Sequence, residues 1–258
     1  MHTNFRDCDA WRHEKLPMST TSNEAAKLYD ASLSQLVGWY ENAAYNGLLA
    51  TLNSMTQVDP DFALGQCLKY DLELLGSNQL LNCETSKKSV SVFVEKALSR
   101  SSDLTSREIM HVKAVAQLQK GNLPQACNLW ENILLEHPTD MMAIKMAHTG
   151  YFYLGCKREM RDSIARVIPA WKANTPLYAY LHGMQAFGLT QTSQLELAKI
   201  RYYYKIYKCN DSFIFETVFD AYRRFWTIWD ITHGQFRTVM NVLRGNGDGN
   251  VSKMKEPL

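Results

Sequence analysis

The sequence predicts an all-α fold of stacked antiparallel helix pairs, an α-solenoid, and three observations predict it. Apolar residues recur at three- and four-residue spacing almost throughout, and no strict alternation is long enough to compete as a strand. Glycine and proline are scarce, 13 and 7 in 258 residues, which argues against a turn-punctuated β fold. Where they occur, several stand at the ends of the apolar stripes, where helices stop.

Met1 to Lys15 is polar and charged, and residues 1–20 are expected to form an N-terminal extension. Thr21 and Glu24 have the spacing of a capping box, so the first helix should start there, with Ala25, Leu28, Tyr29, Leu36, Val37 and Tyr40 on one stripe. A second helix runs through Leu48, Leu49, Leu52 and Met55 and stops before Asp59-Pro60. A third covers Phe62 to Leu75. A fourth covers Lys87 to Leu98, with Val90, Phe93, Val94 and Ala97 inward. Thr105 and Glu108 form a second capping-box pair ahead of Ile109, Val112, Val115 and Leu118, and Gly121-Asn122 closes that helix. Leu123, Ala126, Cys127, Trp130, Ile133 and Leu134 make the next stripe, up to His137-Pro138. Ile144, Ala147, Tyr151 and Leu154 lead to Gly155; Met160, Ile164, Val167, Ile168 and Trp171 follow; a last helix spans Leu177 to Leu189.

The order helix, glycine turn, helix, proline is the rhythm of the tetratricopeptide repeat, whose period is about 34 residues. In the best unit, 107–140, Gly121 sits at the turn, Ala126 lets two helices approach, Trp130 fills the space beside it and Pro138 ends the second helix. A second unit, 141–174, keeps Tyr151 and Gly155 but has Met160 at the small position and an early Pro169; a third, from Thr175, is partial. The expected organisation is an extension over 1–20, a tetratricopeptide-like domain over 21–190, and a divergent aromatic tail over 191–258.

Charge and cysteine usage narrow the function classes. With 28 Lys and Arg against 26 Asp and Glu, the net charge of +2 offers no basic excess for nucleic acid. No apolar run suggests a signal peptide or a membrane span. The scattered Cys8, Cys67, Cys83, Cys127, Cys156 and Cys209 lack zinc-finger spacing and are expected to be free thiols in the cytoplasm.

The stretches RDCDAW at Arg6 to Trp11, LPMSTTSNEAAKLYD at Leu16 to Asp30, DPDF at Asp59 and GNLPQACNLWENILLEHPTDMMAIKMAH from Gly121 to His148 resemble the tetratricopeptide repeat protein 38 family, as do YFYLG at Tyr151 and MRDSIARV at Met160. The resemblance reaches Phe187-Gly188-Leu189, roughly the first 190 residues. It implies a soluble helical-repeat protein without an established catalytic role, and a longer array with a His-rich repeat after the Phe-Gly-Leu run. This chain departs there into an aromatic segment and a Gly/Asn/Asp-rich end, as a truncated or alternatively spliced form would.

The expected function is non-catalytic: a scaffold or adaptor that offers the inner face of the array to an unknown protein. That face should comprise Glu108, His111, Val115, Leu118 and Gln119 from one unit and Met142, Lys145, Thr149, Phe152 and Tyr153 from the next. A groove for a C-terminal carboxylate needs convergent Lys, Arg and Asn; Lys145 is present, but its Asn companions are not. The alternative is a metal-binding or enzymatic protein with a ladder of His111, His148 and His182, the last two one repeat period apart. Packed, hydrogen-bonded histidines are the expected reading, because no Asp, Glu or Cys shares the spacing. No catalytic residue, metal ligand, cofactor or small-molecule ligand is predicted. Cys127 and Cys156 read as structural thiols, and the glycines from Gly245 to Gly249 lack the Lys-Ser/Thr of a phosphate loop. The rings and bases from Tyr202 to Trp229 fit a nucleic-acid surface, an interfacial membrane helix or a cap on the exposed end of the stack, and interspersed acids favour the cap.

Overall fold

The structure, a computed structural model, describes residues 4–76 and 84–201. Among these residues every regular element is helical. In chain order they are α1 (Cys8–His13), α2 (Asn23–Gly38), α3 (Gly47–Val58), α4 (Ala63–Gly76), α5 (Glu84–Ser99), α6 (Ser106–Gln119), α7 (Leu123–Glu136), α8 (Met141–Leu154), α9 (Lys157–Val167) and α10 (Tyr178–Gln191). Short 3-10 turns stand at Ala43–Tyr45, Ser101–Asp103 and Ile168–Ala170. None of the described helices is long and apolar enough to cross a membrane.

Local chemistry sets most of the ends. Thr105 and Glu108 make both halves of the expected capping box at the start of α6. At α2 the cap shifts by one residue: Ser22 Oγ accepts from the Ala25 N–H at 3.1 Å, and Thr21 is exposed. Thr20 favours this choice, because its hydroxyl donates to Asp59 at 2.6 Å and accepts from the Ser22 N–H. Gly121 and Gly155, with φ of +74° and +70°, take the left-handed conformation that turns α6 into α7 and α8 into α9. Pro169 ends α9 in a 3-10 turn, so Trp171 leaves the helical stripe. Its indole N–H instead donates to the Pro138 carbonyl at 2.9 Å, joining the ends of the two expected units.

Helices adjacent in sequence pack against each other from α5 through α10, as do α2 and α3. Trp130 and Ala126 are fully buried between α7 and its neighbours. Gly150 brings α8 close: a Cβ there would stand 2.5 Å from Cys127 Sγ. Two longer-range packings complete the core. α4 lies on α6, and both α2 and α4 reach α8.

The expected extension is instead part of the core. Asp7 caps α1, and Trp11 and Leu16 are buried. Trp11, Tyr29 and Phe62 form a chain of rings with centroids 5.5 and 5.6 Å apart. Arg6 fastens the segment: its guanidinium pairs with both Asp30 oxygens and with Glu14, and lies 3.6 Å from the Trp11 ring centre. The polar surroundings of Trp11 conceal this role in the sequence.

Candidate functional site

The expected binding face has a polar lattice beneath it, centred on Asp140. This residue caps α8, with Oδ1 accepting from the Ala143 N–H at 2.9 Å. Its Oδ2 accepts from Arg107 Nη1 at 2.7 Å and from His111 Nε2 at 3.1 Å. Arg107 also donates to the carbonyls of Leu16 and Pro17, at 3.2 and 2.9 Å. Burial opposes ionisation of Asp140, but the charges of His111 and Arg107, with hydrogen bonds from His111 and the Ala143 N–H, hold the carboxyl well below its usual range. Glu108 completes the lattice. One oxygen closes the capping box with Thr105, and the other accepts from the Ser19 N–H and hydroxyl at 2.8 and 2.9 Å.

This lattice corrects the expectation of a long open inner face. Glu108, His111, Val115, Leu118 and Met142 are buried. Gln119 is half-buried and spends its amide on the Lys87 carbonyl and Ser91 hydroxyl of α5. The cause is tertiary: α4 covers α6, and α2 reaches α8, where the Tyr29 hydroxyl lies 3.4 Å from Met142 Sδ. A face that repeat geometry alone leaves open is filled by the N-terminal helices.

A smaller face remains on the second half of α8. Lys145, Thr149 and Phe152 share a stripe and are half-buried, and Tyr153 beside them is 56% exposed. Trp39 joins them from outside the predicted set. It caps α2 in the left-handed conformation, is 53% exposed, and holds its ring 4.9 Å from Lys145 Nζ. Burial pulls the Lys145 ammonium down to about 8, and no carboxylate among the described residues pairs with it. Phe152 packs against Phe187 of α10 at 5.8 Å and against Tyr153 at 5.9 Å. The structure thus brings together four of the ten predicted residues and adds Trp39. No local pattern signals that addition, because α2 and α8 lie far apart in sequence.

The three histidines do not converge. His111 donates to Asp140; His148 Nε2 donates to the Met184 carbonyl at 3.3 Å and packs on Phe187; His182 sits edge-on to Tyr178 at 4.9 Å. Burial and the neighbouring Lys145 charge pull His148 down to about 3, so it is a neutral donor at neutral pH. Among the described residues, no three His, Cys, Asp or Glu side chains are placed to hold a metal ion.

Cys8, Cys67, Cys127 and Cys156 are free thiols. Burial, with Glu131 adding to it, pushes Cys127 up to about 12, which suits packing rather than nucleophilic attack. Cys83, Cys209, the glycine-rich end and the aromatic run from Tyr202 lie outside the described residues. Asp71 on α4 differs from every other buried acid described above. It is fully buried, neither oxygen has a hydrogen-bond partner, and burial raises its carboxyl well above the usual range. No protein-family model matches the chain, and no solved structure matches it.

Proposed function

We propose that this chain is a non-catalytic, tetratricopeptide-like repeat protein of the cytoplasm that presents the face around Lys145 and Tyr153 to another protein. One observation carries the reading: a half-buried cation, without a carboxylate partner among the described residues, lies beside the exposed ring of Trp39, and Tyr153 is exposed two turns further along α8. Aromatic side chains beside a fixed charge are the composition of interface hot spots, since rings bury much area at little entropic cost. The helix–turn–helix succession from α6 to α9 and the likeness to the tetratricopeptide repeat protein 38 family support the same reading. The lattice around Asp140 supports it differently, by holding α8 rigid beneath the face.

Proximity labelling in cells tests the proposal by comparing the wild-type chain with Tyr153→Ala. Tyr153 is exposed, so the variant should keep its melting temperature. The expected result is loss of a specific set of labelled proteins at unchanged abundance. An identical labelling profile would remove the face from consideration.

A further inference from the structure

We infer that the face around Lys145 takes an acidic peptide segment of its partner protein, with a side-chain carboxylate on the Lys145 ammonium and an apolar side chain against Tyr153. The inference rests on the reading of this face as a binding surface and names the chemistry that fills it. The ammonium is what calls for the acid. It carries three N–H donors, and no carboxylate among the described residues pairs with it. The Trp39 ring, 4.9 Å from Nζ, attracts the cation without neutralising it. Burial works against the charge, so this ammonium gains more from an anion than a lysine in open water does. His148, three residues on, is neutral and spends Nε2 on the Met184 carbonyl, so the positive charge of the face is that of Lys145.

The surroundings of the ammonium are fixed before anything binds. Trp39 ends α2 in the left-handed conformation, with φ of 54° and its N–H on the Gln35 carbonyl. Gly38 before it lets two rings close in: a Cβ there would stand 2.7 Å from the Tyr40 ring and 2.9 Å from the Tyr180 hydroxyl of α10. This close approach holds the turn against α10, so little ordering of Trp39 is left for a partner to supply. On α8, Lys145, Thr149 and Phe152 share one stripe, and Tyr153 lies beside it, 56% exposed. From Lys145 to Tyr153 the helix rises about 12 Å, the reach of three or four residues of extended chain. A peptide laid along α8 therefore meets both anchors when its acid and its apolar residue are three or four positions apart.

Selection of short random peptides from a displayed library on the immobilised full chain tests the inference. The selected peptides are then synthesised with both ends blocked, so that only side chains carry charge, and titrated by fluorescence anisotropy. They should carry Asp or Glu three or four positions from an aromatic or large aliphatic residue. Lys145→Gln should weaken their binding about tenfold without lowering the melting temperature. Lys145→Glu should reject them and bind their acid-to-lysine versions instead, a swap that keeps the test valid if the Gln variant loses stability. Selected peptides without an acid overturn the inference, as does a Kd in Lys145→Gln within about twofold of wild type, or a library that yields no binder sensitive to Lys145. If the acid requirement is absent but Tyr153→Ala still loses its labelled proteins in cells, the acidic partner fails and the binding face stands. If the labelling is unchanged too, both fail.

Discussion

Asp140 and Asp71 are both buried in this fold, and they mark regions built on opposite principles. Asp140 sits where α6, α8 and the N-terminal segment meet, and it has a cap bond, an arginine and a histidine. Asp71 sits on α4 without any hydrogen-bond partner. The first carboxyl is held ionised by what surrounds it, while burial alone drives the second towards its neutral form. Burial of a charge in this protein is therefore not a uniform cost. Where three segments converge the charge specifies their arrangement; on α4 it is an uncompensated residue in an apolar layer.

Asp140→Ala should have the largest effect. It strands the buried Arg107 guanidinium and His111, and removes the cap of α8. Leaving one partner of a buried pair costs about 3–5 kcal/mol, which urea unfolding would read as a lower midpoint at unchanged slope. A loss below about 1 kcal/mol would mean that the lattice is no stronger than a surface ion pair. Asp71→Leu should have the opposite sign. Removing a carboxyl without hydrogen bonds should stabilise by about 1–3 kcal/mol, and destabilisation would show that Asp71 has a partner in solution.

Acidity separates the two residues more sharply than substitution. Asp140 has a depressed carboxyl, so its contribution is complete above the unfolded value near 3.9 and is lost as pH falls below that value through its folded one. Asp71 has a raised carboxyl, so its neutral form costs nothing below about 3.9, and stability is lost as pH rises from there through its folded value. The gain from Asp71→Leu should therefore be smaller at pH 3.5 than at pH 7. Melting temperatures of both proteins across that range would test it, and a pH-independent gain would contradict the assignment.

What the sequence could reveal follows from this contrast. The helices, their glycine turns and the Thr105–Glu108 box are local codes, and all are present. Ala126 and Trp130 are buried, as their place on the apolar stripe of α7 implies, and α7 packs on the helices before and after it. The misreadings share one cause. Glu108 also binds Ser19, Met142 lies under Tyr29, and Trp39 reaches Lys145. Each of these contacts joins the N-terminal segment, residues 19–39, to α6 or α8, and no local periodicity states where that segment lies. Trp11 and α1 were hidden for the same reason, since a ring in a polar segment gains meaning only from Tyr29 opposite it.

The apolar contact between α7 and α8 is open to a steric test. Gly150→Ala puts a methyl 2.5 Å from Cys127 Sγ, with Leu123 and Trp130 beside it. Overpacking of this kind costs about 1–3 kcal/mol, and Cys127→Ala in the same chain should recover part of it by vacating the space. Two independent, additive losses in a double-mutant cycle would show that the methyl is accommodated elsewhere.

The smallest stability effect belongs to Tyr153→Ala. The side chain is mostly exposed and touches Phe152 at a ring distance of 5.9 Å, so its removal should change stability by within about 0.5 kcal/mol. That near-silence separates a functional contact from a structural one. Residues of the Asp140 lattice should lose stability and binding together, whereas Tyr153 should lose binding alone. Chemical denaturation alongside labelling would show the split. A Tyr153→Ala loss as large as that of Asp140→Ala would place the tyrosine in the core's support and leave Trp39 as the exposed part of the face, beside the half-buried Lys145.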